Sequence, residues 1–287
     1  LEEERIKNEI IDREKEDCNN KRKSNNMEAP RLYKYLDTSG GLKMLEHHNL
    51  QFTNATKLND PFDIHPDLLD YSEPDVFMWE EDDDSLSSVN LGESGRSNMN
   101  SLRKSTWICS LSKTYNSLLM WSYYNKHTGI CIGLDMEKLR PNLPKLVYSP
   151  LLGALELEIN YDEIIKKPNY FYDKKEYWGY LVSTKAKEWK HEQEVRLALL
   201  NPSADYIPQR NNNDVKNRKR SSLLKHLYYS VIEPNCFESV YLGVNILTRN
   251  KNKIIKVAKN LNPDIKIYQM TIDPKAFRLK EEIIEIN

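Results

Sequence analysis

The chain has 287 residues, 39% hydrophobic and 30% charged, with a formal net charge of −1. This composition is that of a globular protein long enough to bury a large core, and no apolar run nears the roughly 18 residues a membrane helix needs. Near-neutrality argues against a broadly basic nucleic-acid surface but leaves local patches open. Four scattered cysteines, Cys18, Cys109, Cys131 and Cys236, lack CxxC spacing, and no secretory leader is visible, so a reducing cytoplasm is the expected location.

Residues 1–28 are densely charged around a thin stripe of Ile6, Ile10 and Ile11, which predicts an exposed helix and a flexible link preceding a single domain over 29–287. Within that domain a strand is expected over 29–36, a helix after Gly40 and Gly41 to about His48, and a strand at 50–53. Asn59, Asp60, Pro61, Phe62 and Asp63 form a strong turn signal, since a residue before proline is pushed out of helical backbone. Residues 71–105 carry an acidic run and many serines, and read as a solvated insertion or flap.

The stretch 106–112 alternates, with Trp107, Cys109 and Leu111 on one face and Ile108, Ser110 and Ser112 on the other. A helix at 116–126, a buried strand at 129–134, strands at 145–148 and 155–161 and an aromatic helical region at 170–189 follow. From Glu192 the pattern alternates again: Gln193, Val195, Leu197 and Leu199 share one face, and Glu192, Glu194 and Arg196 the other. Either that polar face is solvated or ion-paired, or its carboxylates border a cleft where one orients a substrate and the other stabilises a developing cation. A basic loop spans 202–221, with Lys216, Arg218, Lys219 and Arg220 either solvated or meeting phosphates. A strand at 237–244, a helix at 248–261 and a strand at 265–272 complete the chain. Short strands and helices without regular βαβ alternation predict a mixed α+β fold with mainly antiparallel pairing.

The chemistry narrows by motif. The histidines are dispersed and no HExxH occurs, so no metal is expected. A GxSxG nucleophile elbow and the glycine-rich phosphate cradles are absent. Cys109 and Cys131 lie in apolar strands, where a buried thiol is inert. The polar residues left on strands are Tyr33 and Lys34, Ser110 and Ser112, and Glu192 and Glu194. Hydroxyls and carboxylates on strand faces can line one cleft, and Trp121, Tyr124 and His127, spaced by helical steps, can stack on an aromatic ligand or form core and helix surface.

In order along residues 31–245, the motifs Leu32 to Leu36, Asn59 to Asp63, Ser110–Ser112 with Trp121 and Tyr124, His127 to Gly133, the set Lys187, Trp189, Glu192, Glu194 and Arg196, and Tyr241 to Gly243 resemble the bacterial domain of unknown function 2971 family. Relatives of that family resemble proteins linked to phage abortive infection. A more distant similarity is to ADP-ribosyltransferases of the arginine–serine–glutamate type, where an early strand residue contacts NAD, a Ser-x-Ser strand supports the nicotinamide pocket and a late Glu-x-Glu supplies the catalytic glutamate. That resemblance implies NAD as substrate, with Tyr33, Lys34, Ser110 and Ser112 at the dinucleotide. Glu194 would stabilise the oxocarbenium ion and Glu192 orient the acceptor. Lys34 or Arg196 would face the pyrophosphate, and the early arginine has no counterpart unless Arg31 or Lys34 replaces it. The implied acceptor is a macromolecule, protein or nucleic acid, with no membrane partner, and the implied setting is phage defence or toxicity. Two rivals stand beside this reading: a non-catalytic module recognising a nucleotide or phage component, and a metal-dependent nuclease using the basic loop.

Overall fold

In the computed structural model, which describes residues 30–72, 90–124, 126–143, 145–146, 149–173, 177–200 and 226–285, strand β1 (Arg31–Leu36) serves two cores at once. Leu32 faces a large cluster with Leu50, Phe52, Ile132 and Val240, while Tyr33 and Tyr35 face a smaller one with Met120, Trp121 and Tyr241. This is the period-two consequence of extended backbone. Helix α1 (Thr38–His47) follows, started by the Asp37 carboxylate accepting from the Gly40 N–H and ended by His48 in left-handed backbone. Strand β2 is Asn49–Asn54.

The insertion expected at 71–105 is in part a helix. α2 (Leu91–Lys104) is capped by Asn90, whose side chain accepts from the Glu93 N–H at 2.8 Å, and Arg103 and Lys104 lie in its last turn. Gly95 and Met99 are its buried residues, and Met99 joins a cluster with Ile64, Leu68, Leu181 and Ala198. Capping and one narrow apolar stripe suffice because the neighbouring chain supplies the packing. Residues 73–89, with the acidic run, lie outside the described residues, as do the 1–28 extension and the 202–221 basic loop.

Strand β3 (Thr106–Ser112) leads to α3 (Leu118–Tyr123), shorter than the helix expected at 116–126 because Lys126 and His127 both adopt left-handed backbone. Then come β4 (Ile130–Asp135), α4 (Met136–Leu139), β5 (Lys145–Leu146), β6 (Ser149–Gly153), β7 (Leu155–Glu158) and β8 (Asn160–Asp162). The aromatic region read as one helix over 170–189 divides into α5 (Tyr177–Ser183), β9 (Thr184–Ala186) and a 3-10 helix (Lys187–Glu192). Strands β10 (Glu194–Leu200), β11 (Leu227–Val231) and β12 (Phe237–Leu242), helix α6 (Thr248–Leu261) and strands β13 (Lys266–Ile272) and β14 (Leu279–Ile283) complete the described chain; β14 was not expected.

The main sheet runs β11-β2-β3-β1-β4-β12-β13-β14, with β10 also on β3 and β7 on β10. Its pairings are antiparallel except β12 with β13, which α6 connects. The fold is therefore α+β and mainly antiparallel, as the pattern predicted. One irregularity sets up the site. Along one edge β3 pairs fully with β10, from Glu194 opposite Ser112 to Leu200 opposite Thr106. Along the other, β2 pairs only near Trp107 and Ile108, and β1 only through Tyr33 opposite Ser112. Ser110 is left between two diverging strands. Among the described residues no helix is long and apolar enough to cross a membrane.

Candidate functional site

A cleft of about 110 Å³ opens where β1 parts from β3. Its walls bring together Tyr33, Lys34, Ser110, Ser112, Tyr124, Glu192 and Glu194, joined by Asp63 and Lys185. Residues separated by some 160 positions thus meet because β3 pairs β1 and β10 on its opposite edges. Gly133 contributes by what it lacks: a Cβ there would lie 2.2 Å from Ser239 Oγ and 3.2 Å from the Tyr33 ring, so only glycine lets that ring lie over β4.

The expectation that Glu192, Glu194 and Arg196 share one extended face is corrected. Glu192 ends the 3-10 helix, Gln193 turns through left-handed backbone at φ 45°, and the strand begins at Glu194. Of the face expected to be solvated or ion-paired, the solvated form is overturned, since Glu194 and Arg196 are buried, and the ion-paired form is the one that the contacts bear out. The segment around Asp63 and Ile64, together with α5, packs on that face and excludes water. Burial obliges every charge to find a partner.

Arg196 does so completely. Its Nε donates to Glu194 Oε1 at 2.9 Å, its Nη2 to Glu194 Oε2 at 3.1 Å and to Asp63 Oδ1 at 2.5 Å, and its Nη1 to the Val182 carbonyl at 3.0 Å. A guanidinium so engaged under the cleft cannot face a pyrophosphate; Arg196 is a structural counter-ion. Lys185 bridges the two glutamates, 2.5 Å from Glu192 Oε2 and 3.2 Å from Glu194 Oε2, with its ammonium 4.8 Å from the centre of the Trp189 ring. The Glu194 N–H donates to Tyr161 Oη at 2.7 Å.

The two glutamates consequently differ. Burial pushes Glu194 up, but the Arg196 guanidinium and the Lys185 ammonium outweigh it and hold the carboxyl at about 2. Glu194 is a fixed negative charge whose oxygens already accept from Arg196, Lys185 and the Ser110 hydroxyl. Glu192 is raised above the ordinary value because burial outweighs Lys185. Its side chain retains 14% exposure, and its Oε2 meets Lys185. Burial likewise raises Asp63 despite Arg196 and Lys185 beside it.

The serines are anchors as much as contacts. Ser112 Oγ donates to the Glu192 carbonyl at 2.7 Å and so ties the 3-10 helix to β3. Lys34 Nζ donates to the Ser110 carbonyl at 2.7 Å, in the gap where no strand pairs. Lys34 lines the cleft without a carboxylate partner among the described residues. Tyr124, 38% exposed, stacks on Tyr35 with centroids 5.9 Å apart and presents its ring at the cleft.

Two predicted ligand contacts are corrected. Trp121 is fully buried, edge-on to Tyr35, and its indole N–H donates to the Tyr115 carbonyl. His127 lies outside the cleft lining and acts through its backbone, donating to the Trp121 carbonyl and accepting from Asn245. Conversely, Asp63, Lys185 and Tyr161 were missed. Asp63 was visible only as the end of a turn, and Lys185 sat in a stretch that read as helix. Among the described residues no group of three or more His, Cys, Asp or Glu side chains is placed to hold a metal ion.

Comparison with protein-family models, with curated proteins and with solved structures gives no match to this chain. The cleft is therefore read from its own geometry.

Proposed function

We propose that this cleft is the nicotinamide end of an NAD site, and that the protein is an ADP-ribosyltransferase-like enzyme or NAD glycohydrolase. The observation that carries the reading is the convergence of Tyr33, Lys34, Ser110, Ser112, Glu192 and Glu194 on one cleft. At about 110 Å³ the cleft is smaller than the engineered cavity of about 150 Å³ that holds a benzene ring, so a nicotinamide ring would enter it only in part, with the remainder of the dinucleotide across its mouth. Tyr124 offers that ring a stacking surface, and Lys34 is the cation best placed to meet a phosphate. The resemblance to abortive-infection relatives suggests phage defence or toxicity as the setting.

The chemistry divides between the glutamates. As the nicotinamide–ribose C–N bond breaks, its electron pair leaves with nicotinamide and positive charge develops on the ribosyl group. Glu194, ionised at any physiological pH, supplies fixed negative charge beneath it. Glu192 takes the proton from the attacking water or acceptor as the new bond to ribose forms. This keeps the division of roles expected from sequence, with Glu192, whose side chain retains some exposure, as the carboxylate with access to a ligand.

A second reading has its own observation. The oxygens of Glu194 are already occupied by protein donors, which suits a rigid non-catalytic pocket that recognises a nucleotide. The experiment that separates the two is nicotinamide release from NAD by purified protein with a lysate as acceptor source, alongside NAD binding by calorimetry. The transferase reading expects release that falls at least 100-fold in Glu192→Gln, in line with loss of general-base catalysis, while NAD binding persists. Binding without release by the wild type supports the recognition module, and neither binding nor release overturns the NAD site.

A further inference from the structure

We infer that the outward face of α6 is a docking surface for the phosphate backbone of a nucleic acid. The face is independent of the cleft. α6 packs through Ile254 and Ala258 on the large core that receives Leu32, whereas the cleft is bordered by Tyr33, Tyr35 and Met120 of the core on the other side of β1.

The helix reads Thr-Arg-Asn-Lys-Asn-Lys-Ile-Ile-Lys-Val-Ala-Lys-Asn-Leu, five cations and no acidic residue, in a chain whose formal net charge is −1. Two of the five are held inward: Lys251 Nζ donates to Gln269 Oε1 at 3.0 Å, and Lys259 Nζ to the Pro263 carbonyl at 2.9 Å. The other three, Arg249, Lys253 and Lys256, are exposed. At positions i, i+4 and i+7 they form one stripe about 10.5 Å long at 1.5 Å per residue. A duplex presents one phosphate per about 3.4 Å of axis on each strand, so such a stripe spans about three phosphates.

Acidic neighbours do little to cancel this charge. Glu46 on α1 lies 3.5 Å from Lys253, but both side chains are well exposed, and such pairs are weak and readily exchanged. Lys43 on α1 and Lys266 at the start of β13 are exposed too.

The apolar side of α6 decides the class of polyanion. A helix that binds a lipid surface must lay an apolar face into it. Here Ile254 and Ala258 are buried, and Ile255 and Val257 pack against the same core, so the exposed side chains are cationic or polar. Three phosphate contacts without base contacts imply weak, sequence-independent, salt-sensitive association.

The test is fluorescence anisotropy of a short labelled DNA duplex and its RNA counterpart with the full chain. The expected result is a dissociation constant of about 1–100 μM, weakening about 40-fold between about 50 and 200 mM salt, the slope of three released counterions. The triple variant Arg249→Glu, Lys253→Glu, Lys256→Glu, its fold verified by circular dichroism, should lose this binding. Four results overturn the inference: no binding by the wild type at the lower salt; unchanged affinity in the triple variant; loss of binding on replacing Arg218, Lys219 and Arg220 while α6 is intact; or tighter binding to phosphatidylserine vesicles than to either duplex.

Discussion

Arg196 has no water with which to share its charge, and each of its hydrogen bonds goes to a buried partner. Removing one member of such a set leaves the others charged and uncompensated, which costs more than the set contributes when whole. Arg196→Met should destabilise the protein by on the order of 3–5 kcal/mol in urea denaturation, and Arg196→Lys should recover little, because an ammonium cannot bridge Glu194 and Asp63 in one plane. The same set fixes how the cleft responds to pH. Glu194 is held at about 2 and stays ionised through any useful range, whereas Glu192 titrates above the ordinary carboxylate value because burial raises it. A base works only when deprotonated. Nicotinamide release should therefore be full above the raised value and fall as the pH descends through it, with an acid limb lying above the ordinary glutamate range. Asp63 provides the control: Asp63→Asn should shift that limb modestly through the shared field, while a limb left in place by Glu192→Gln would dismiss Glu192 as the base.

At the scale of elements, the site depends on one turn. Gln193 adopts φ 45° and separates the 3-10 helix from β10, so that Glu192 and Glu194 approach Lys185 from different elements. Left-handed backbone is disfavoured for side-chain-bearing residues and worst for β-branched ones. Gln193→Gly should be neutral or stabilising by up to about 1 kcal/mol, while Gln193→Val should cost about 1–2 kcal/mol and reduce nicotinamide release through displacement of Glu192. Thermal denaturation and the release assay check both. This turn also marks where the sequence misled. Alternation from Glu192 onward was read as unbroken strand, since polar–apolar alternation carries no mark of a single left-handed residue, and glutamine does not announce one as glycine would. α2 is the opposite case. Asn90 with Glu93 is a capping signature present in the sequence, but the acidic run ahead of it drew the whole stretch into one solvated segment. Strands β1, β3, β4 and β12 were legible because aliphatic and aromatic residues dominate each of them, in alternation in β3 and nearly without a break in β4. β14 was not, since Lys280, Glu281 and Glu282 interrupt its pattern at an exposed edge.

At the scale of the whole molecule, stability should be graded from the middle of the sheet outward. β3 and β10 are each flanked by strands on both edges, while among the described residues β14 pairs only with β13. Native-state hydrogen exchange should find the slowest amides at 108, 109, 111 and 197–199 and much faster ones in β14; uniform protection would contradict a cooperative centre at the β3–β10 seam. That seam also explains why part of the site was visible beforehand. Ser110, Ser112 and Glu194 could be placed on strands from alternation alone, and their meeting then required only that β3 and β10 be neighbours. Asp63 and Lys185 could not be foreseen, because charge complementarity across 133 positions from Asp63 to Arg196, or across 9 from Lys185 to Glu194, has no local signature. Lys185 also couples the cleft to an aromatic ring. Its ammonium lies over the Trp189 ring while holding both glutamates, so a ligand that draws Lys185 away changes the electric field on that indole. The protein thus carries a built-in optical gauge of its cleft, and a shift in the Trp189 emission maximum would register occupancy without any added dye.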